Sequence, residues 1–286
     1  MAKILLKGKV ASMTISISCI ETVRHDEAVK AIESTLKCVN ISKIYWFSNR
    51  DFPKDKNVGC EIVNIKIKPF DRTKSFNEAY SHLALELIPE TIETDYNLIV
   101  QYDGYAVNKN AWTNNFLKYD YIGSLVKWFH HYPYKNGNGG FCLRSKKLYN
   151  AMKAIGLKYT FADLIKYKNF DRLLRSNLFK DKFTGKRLSE DLIKHKNFNR
   201  LLRSYLSIDK FAGKSLPEDF IITEVYKEQL IKEYGIKFAP AHISNRFSIQ
   251  SNLSSSWLCK SLGFHGPHLF KLYSSIFPSI LKEEKK

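Results

Sequence analysis

The chain has no long apolar run: none of its 286 residues lies in a stretch approaching the roughly 20 that a membrane-spanning helix needs. Its opening, Met1-Ala2-Lys3-Ile4-Leu5-Leu6-Lys7, is basic, but the apolar part is too short and interrupted for a signal peptide. Five cysteines (Cys19, Cys38, Cys60, Cys142, Cys259) are odd in number and never stand as C-x-x-C. That excludes a disulfide framework and a zinc ribbon, and a reducing cytoplasm is the expected setting. Acids are scarce, with 28 Asp and Glu against 46 Lys and Arg. Zinc-finger spacing, an RNP-type signature and a basic region with heptads are all missing, so nucleic acid is not an expected partner.

What is present suits a folded enzyme-sized chain. An apolar content of 44% is enough for one large core or two small ones. The net charge of +18 attracts polyanions and anionic membrane surfaces without specifying a fold.

Thr14-Ile15-Ser16-Ile17-Ser18-Cys19 alternates as a first strand does, and Ala28, Ile32, Thr35 and Leu36 recur at helical spacing behind a start near His25-Asp26. Lys43 to Phe47 and Glu61 to Ile65 read as the next strands. Ser75-Phe76-Asn77-Glu78 has the shape of a capping box and opens a helix to about Leu87, with Pro89 ending it. Strands interleaved with helices predict an α/β layered sheet. Leu98-Ile99-Val100-Gln101-Tyr102-Asp103-Gly104-Tyr105 is an apolar run that stops on an acid and a glycine, as a buried parallel strand does at its carboxyl end. Ligands of open α/β sheets bind outside such ends, and a carboxylate there can hold a hard cation carrying a diphosphate.

Several separated motifs follow in one order: Trp112, Phe116 and Tyr119-Asp120-Tyr121-Ile122-Gly123; Asn136-Gly137-Asn138-Gly139-Gly140-Phe141; Leu143-Arg144-Ser145; Leu216-Pro217-Glu218-Asp219; Tyr234 to Pro240; and Gly263-Phe264-His265-Gly266. Together they resemble the nucleotide-sugar glycosyltransferases of GT-A architecture. Within these the chain is most similar to a bacterial and eukaryotic group with a Q-x-D-G…Y-D-Y-I-G…G-N-G-G-F-x-L-R-S signature. The resemblance runs from about Thr14 to His265 and is densest from Asp95 to Met152. It implies a GT-A-like, Rossmann-type mixed sheet flanked by helices, with residues 1–162 as the donor-binding half and 219–286 as the acceptor-side half and tail.

Between these halves, residues 163–218 carry a direct repeat with a period of 28 residues: Asp163-Leu164-Ile165-Lys166 returns as Asp191-Leu192-Ile193-Lys194. Phe170, Leu173, Leu174 and Leu178, and their counterparts Phe198, Leu201, Leu202 and Leu206, fit one helical face. Two copies are too few for a solenoid, so the segment reads as a basic helical insertion, with 14 Lys and Arg against 7 Asp and Glu. A guide for an anionic acceptor, a seat on lipid headgroups and a tolerated surface duplication all remain open. Two acid pairs compete, Glu190-Asp191 and Glu218-Asp219. Only the second leads into the stretch that resembles the family, which selects Asp219.

By resemblance, Asp103 and His265 ligate a divalent cation (Mn or Mg), and Gln101 stands where the family's first acid would be. Gln101, Asp103, Gly137, Asn138, Gly139, Gly140 and Gly266 line the donor. The glycines let backbone amides approach the ligand. Asp219 deprotonates the acceptor hydroxyl, which implies inversion at the anomeric carbon, and Glu218 orients a hydroxyl. Arg144 is open between a phosphate contact and a solvated helix start. The function implied is sugar transfer from a nucleotide sugar to a glycan or lipid-linked acceptor, of the cell-surface polysaccharide or lipopolysaccharide kind, at or near the inner membrane face. A non-catalytic protein that binds polyanions or an anionic membrane surface on a degenerate scaffold is the alternative. A nucleotidyltransferase is disfavoured, because no Gly-rich, Arg/Lys-bearing loop follows Cys19. The tail from His268 reads as an amphipathic anchor or a helix packed on its own domain.

Overall fold

The computed structural model describes residues 13–70, 76–126, 135–159, 216–250 and 259–278. Strands β1 (Ile15–Ile20), β2 (Lys43–Ser48), β3 (Glu61–Lys66), β4 (Tyr96–Val100), β9 (Phe141–Ser145) and β6 (Tyr121–Ile122) form a six-stranded mixed sheet, ordered β3-β2-β1-β4-β9-β6. The first four run parallel, and β9 is antiparallel to both its neighbours. The strand order reverses between β1 and β4, and an α/β sheet offers its binding crevice at such a point.

Side-chain alternation along these strands builds a core on each face. Ile44, Trp46, Leu98, Val100 and Leu143 point to one side, toward α1 (His25–Leu36). Tyr45, Phe47, Ile99 and Cys142 point to the other, toward α2 (Phe76–His82), α3 (Ile88–Thr91) and α4 (Lys146–Ile155). The alternating serines of β1 face no water. Ser16 and Ser18 are fully buried and accept from Asn97 Nδ2 at 3.0 and 2.9 Å, and Asn97 Oδ1 takes the Tyr149 hydroxyl at 2.8 Å. Hydrogen bonding within the sheet satisfies what would otherwise be costly buried polar groups.

The helix expected to stop at Pro89 runs on to Thr91. Between α2 and α3 the turn widens over Leu83–Leu87 into a π-type segment, in which the Ile88 N–H donates to the Leu83 carbonyl. Pro89 sits at the start of the final turn, where its missing N–H and fixed φ are tolerated. Ser75 of the expected capping box lies outside the described residues.

After β4 the chain turns at Gln101–Gly104 and enters a smaller sheet, in which β5 (Gly104–Ala106) pairs antiparallel with β11 (Gly263–His265), itself parallel to β10 (Ser248–Ile249). That pairing sets His265 opposite Gly104. A short ribbon, β7 (Leu125–Val126) with β8 (Lys135–Asn136), leads into the Gly137–Gly140 loop. Then come α5 (Glu218–Phe220), a π-type turn at Ile221–Val225, α6 (Lys227–Tyr234), α7 (Ala241–Phe247) and α8 (Pro267–Ile276). The last buries Leu269 and Tyr273 against the small sheet, so the described part of the tail packs on its own domain. The 28-residue repeats lie outside the described residues, apart from the closing Leu216, Pro217 and Glu218. The chain leaves at Tyr159 and re-enters at Leu216, whose N–H donates to the Tyr159 carbonyl at 3.0 Å. No helix among the described residues is long and apolar enough to cross a membrane, and the described cysteines are all free.

Candidate active site

Four chain-distant segments meet at the carboxyl end of β4. The turn after β4 brings Gln101 and Asp103, the loop before β9 brings Asn138, Gly139 and Gly140, α5 brings Glu218 and Asp219, and the end of β11 brings His265. A cavity of about 140 Å³ is lined by Gln101, Asn138, Gly139, Gly140, Glu218, Asp219 and His265, joined by Tyr80, Ser81 and Pro217. Asp103 stands behind His265, its Oδ1 3.2 Å from His265 Nε2. Gly137 and Gly266 lie beside the cavity rather than on its wall. The Gly137 carbonyl packs against Gly123, where a Cβ would come within 1.9 Å of it, and the Gly266 N–H donates to the Asp103 carbonyl at 2.9 Å.

The glycines do something other than present amides to a ligand. Gly139 N–H is given to Asp219 Oδ2 at 3.0 Å, and Gly140 N–H to Asn138 Oδ1 at 3.1 Å. Glycine is needed because side chains crowd in. A Cβ on Gly139 would lie 1.6 Å from Glu218 Oε1, and one on Gly140 would lie 2.0 Å from His265 Nε2. Asn138 takes a left-handed φ of 60°, which asparagine tolerates better than most residues. Its Oδ1 also accepts from Phe141 N–H at 3.1 Å, fixing the side chain.

That fixed amide decides the state of His265. Asn138 Nδ2 is 2.9 Å from His265 Nδ1, so Nδ1 must accept and the neutral ring carries its proton on Nε2. Nε2 bonds Gln101 Oε1 at 3.3 Å, with the Asp103 carboxylate alongside. A metal-ligating nitrogen needs its lone pair, and its ring partner normally donates outward. The arrangement is the reverse, so the expected Asp103–His265 cation site does not fit the side chains as they stand. Among the described residues no cluster of three or more His, Cys, Asp or Glu could hold a metal.

Asp219 is buried, with Oδ1 accepting from Phe220 N–H at 2.8 Å. Burial first and the Glu218 charge second push its carboxyl up from 3.8 to about 8, against the opposing pull of the Phe220 amide, Arg144 and the Gly139 amide. Glu218 Oε1 accepts from Arg144 Nη2 at 2.9 Å. Arg144 is neither a solvated helix start nor a residue lining the cavity. It lies on β9 with no exposed surface, its guanidinium 5.7 Å from the centre of the Tyr121 ring. A charge directly after the apolar run Phe141-Cys142-Leu143, in the same strand, was the sequence signal for this. Tyr80 was missed: it is buried, lines the cavity beside Gln101, and burial raises its hydroxyl well above the usual range. Glu21 was also missed. It follows β1 as Asp103 follows β4, and its Oε1 accepts from the N–H groups of Thr22, Val23 and Arg24 at 2.8–2.9 Å.

These features define a mixed α/β protein with an acid-walled hollow beside the reversal point of its sheet. A family profile described as "Protein of unknown function (DUF5672)" matches residues 59–265, and the chain belongs to that family. No curated protein matches the sequence. Among solved structures, one titled as a mycobacterial protein is similar at 13% identity and a TM-score of 0.33, over 48% of this chain and 55% of its own. The glucosyl-3-phosphoglycerate synthase of Mycobacterium tuberculosis, in complex with phosphoglyceric acid, is similar at 11% identity and a TM-score of 0.33, over 48% of this chain and 59% of its own. This chain therefore spans less than two thirds of either.

Proposed function

We propose that the chain is a glycosyltransferase that moves a sugar from a nucleotide-sugar donor to the hydroxyl of a glycan or lipid-linked acceptor. The observation that carries this reading is the convergence of Gln101, Asn138, Glu218, Asp219 and His265 on one hollow at the sheet's reversal point. Asp219 is the base. It takes the acceptor's hydroxyl proton as that oxygen bonds the anomeric carbon and the carbon–oxygen bond to the diphosphate breaks, which inverts the centre. A carboxylate with a pKa near working pH suits this role. Glu218, anchored on Arg144, is placed to orient a sugar hydroxyl. With the donor in place, the Nε2–H that His265 gives to Gln101 Oε1 in this structure turns to the charge developing on the leaving diphosphate, and the net charge of +18 supplies a favourable field.

The test is release of nucleoside diphosphate from a panel of nucleotide sugars, with manganese and with chelator. Release by the parent protein that falls at least a hundredfold in Asp219→Asn supports transfer. A parent that binds donors yet never releases diphosphate leaves the polyanion-binding alternative standing. Activity abolished by chelator and restored by manganese would overturn the state assigned to His265. Retention at the anomeric carbon, seen by NMR of the product, would remove Asp219 as base.

A further inference from the structure

At the end of the small sheet away from His265, a second cavity of about 660 Å³ opens between the residues that follow β5 and those that precede β11. It shares no lining residue with the hollow at Asp219. Its volume is in the usual range for small-molecule sites. Its described lining mixes two chemistries: Ala111, Ile276 and Phe277 are apolar, while Arg246, Lys260, Asn108 and Asn110 are polar, with Cys259 among them. Among the described residues no carboxylate lines it. Arg246 and Lys260, both exposed, form no ion pair among the described residues.

The wall is pinned rather than loose. Phe277 stacks on Tyr273 at 6.1 Å, and Tyr273 stacks on Phe264 of β11 at 4.5 Å. Asn108 Nδ2 donates to the Cys259 carbonyl at 2.9 Å, and the Arg246 carbonyl accepts from Leu262 N–H at 2.8 Å. Two cations with no carboxylate partner among the described residues form charge-assisted bonds with an anion, phosphate above all, and apolar side chains in the same cavity favour hydrocarbon. We propose that this cavity binds a phosphate ester joined to a hydrocarbon chain, with the phosphate on Arg246 and Lys260 and the chain along Ala111, Ile276 and Phe277. The proposal goes beyond the transferase reading and does not rest on it.

Cys259 is the reporter, because its thiol is exposed while those of Cys19, Cys38 and Cys142 are buried. In a Cys60→Ser background, the rate at which a disulfide reagent modifies Cys259 is followed against dodecyl phosphate held below its micelle limit. Saturable protection is expected, and the double variant Arg246→Ala/Lys260→Ala should raise the half-saturating concentration at least tenfold. Ile276→Asp, among the apolar lining residues, should do the same, with circular dichroism unchanged in both variants. Inorganic phosphate should need at least a hundredfold more, and the neutral dodecyl maltoside should not protect. Equal protection by the maltoside or by inorganic phosphate, or an unaffected double variant, overturns the proposal. Phosphatidylcholine vesicles with and without phosphatidic acid separate the sources. Protection by the anionic vesicles identifies a membrane lipid, protection by the soluble probe alone identifies a free phosphate ester, and protection by neither overturns the proposal.

Discussion

Arg144→Met removes the only cation bonded to Glu218 among the described residues and strands two adjacent carboxylates inside the protein. The Arg144 side chain has no exposure and that of Glu218 only 6%. At 2.9 Å and an effective dielectric of about 20, the lost attraction is about 6 kcal/mol before desolvation is counted. Releasing the arginine from its buried position offsets part of this, and breaking a buried pair by removing one partner costs about 3–5 kcal/mol net. For a protein with a total stability of about 5–15 kcal/mol, that is about a fifth or more. With a urea m-value of about 3 kcal/mol/M, the midpoint should fall by about 1–1.7 M. Urea unfolding followed by tryptophan fluorescence gives this directly. Arg144→Met/Glu218→Gln, which no longer buries a lone glutamate, should recover most of the loss. A single variant that loses less than about 1 kcal/mol, or a double variant no better than the single, refutes the assignment of a stability-critical pair.

Gly140→Ala places a methyl group 2.0 Å from His265 Nε2 and 2.7 Å from Gln101 Oε1. Both side chains can shift, so the fold should survive while diphosphate release drops about a hundredfold; an unchanged rate would mean that His265 has no part in the chemistry. Diphosphate release should rise with pH and level off near the value of about 8 given to Asp219, because the base must be ionised. Glu218→Gln deletes a neighbouring negative charge and should move that inflection to lower pH, and a shift upward contradicts the reasoning. The same raised carboxyl links to stability. Between 3.8 and about 8 the native state keeps a proton that the unfolded chain has lost, so stability is full below 3.8 and declines as pH rises to about 8. Asp219→Asn lacks that dependence and should gain on the parent by about 2 kcal/mol between about pH 6 and pH 8, measured by denaturation at each pH. A gap that stays constant with pH sinks the assignment.

The parallel strands and α1 were legible because apolar periodicity is a local signal, and β4 through Asp103 gave the place of the hollow. Other features depend on contacts between distant residues. Pro89 reads locally as a stop, and only the widened turn at Leu83–Leu87 shows how the helix passes it. The glycine loop reads as open backbone, yet one of its amides is taken by Asp219, which arrives from elsewhere, and another by the loop's own Asn138. The role of His265 turns on one hydrogen bond from Asn138, 127 residues away in sequence, which no spacing rule anticipates. Arg144 and Glu218, 74 residues apart, are individually unremarkable charges until the fold buries them together.

The junction at Leu216 has an evolutionary side. Its N–H is tied to Tyr159 and its carbonyl to the Ser81 hydroxyl at 2.9 Å, two residues before Glu218. A stretch whose two ends are stitched at one point can be copied, trimmed or exchanged without displacing the carboxylates that follow it. Gene duplication at this spot thus has a free hand, and the 28-residue echo in the sequence is the kind of mark such freedom leaves.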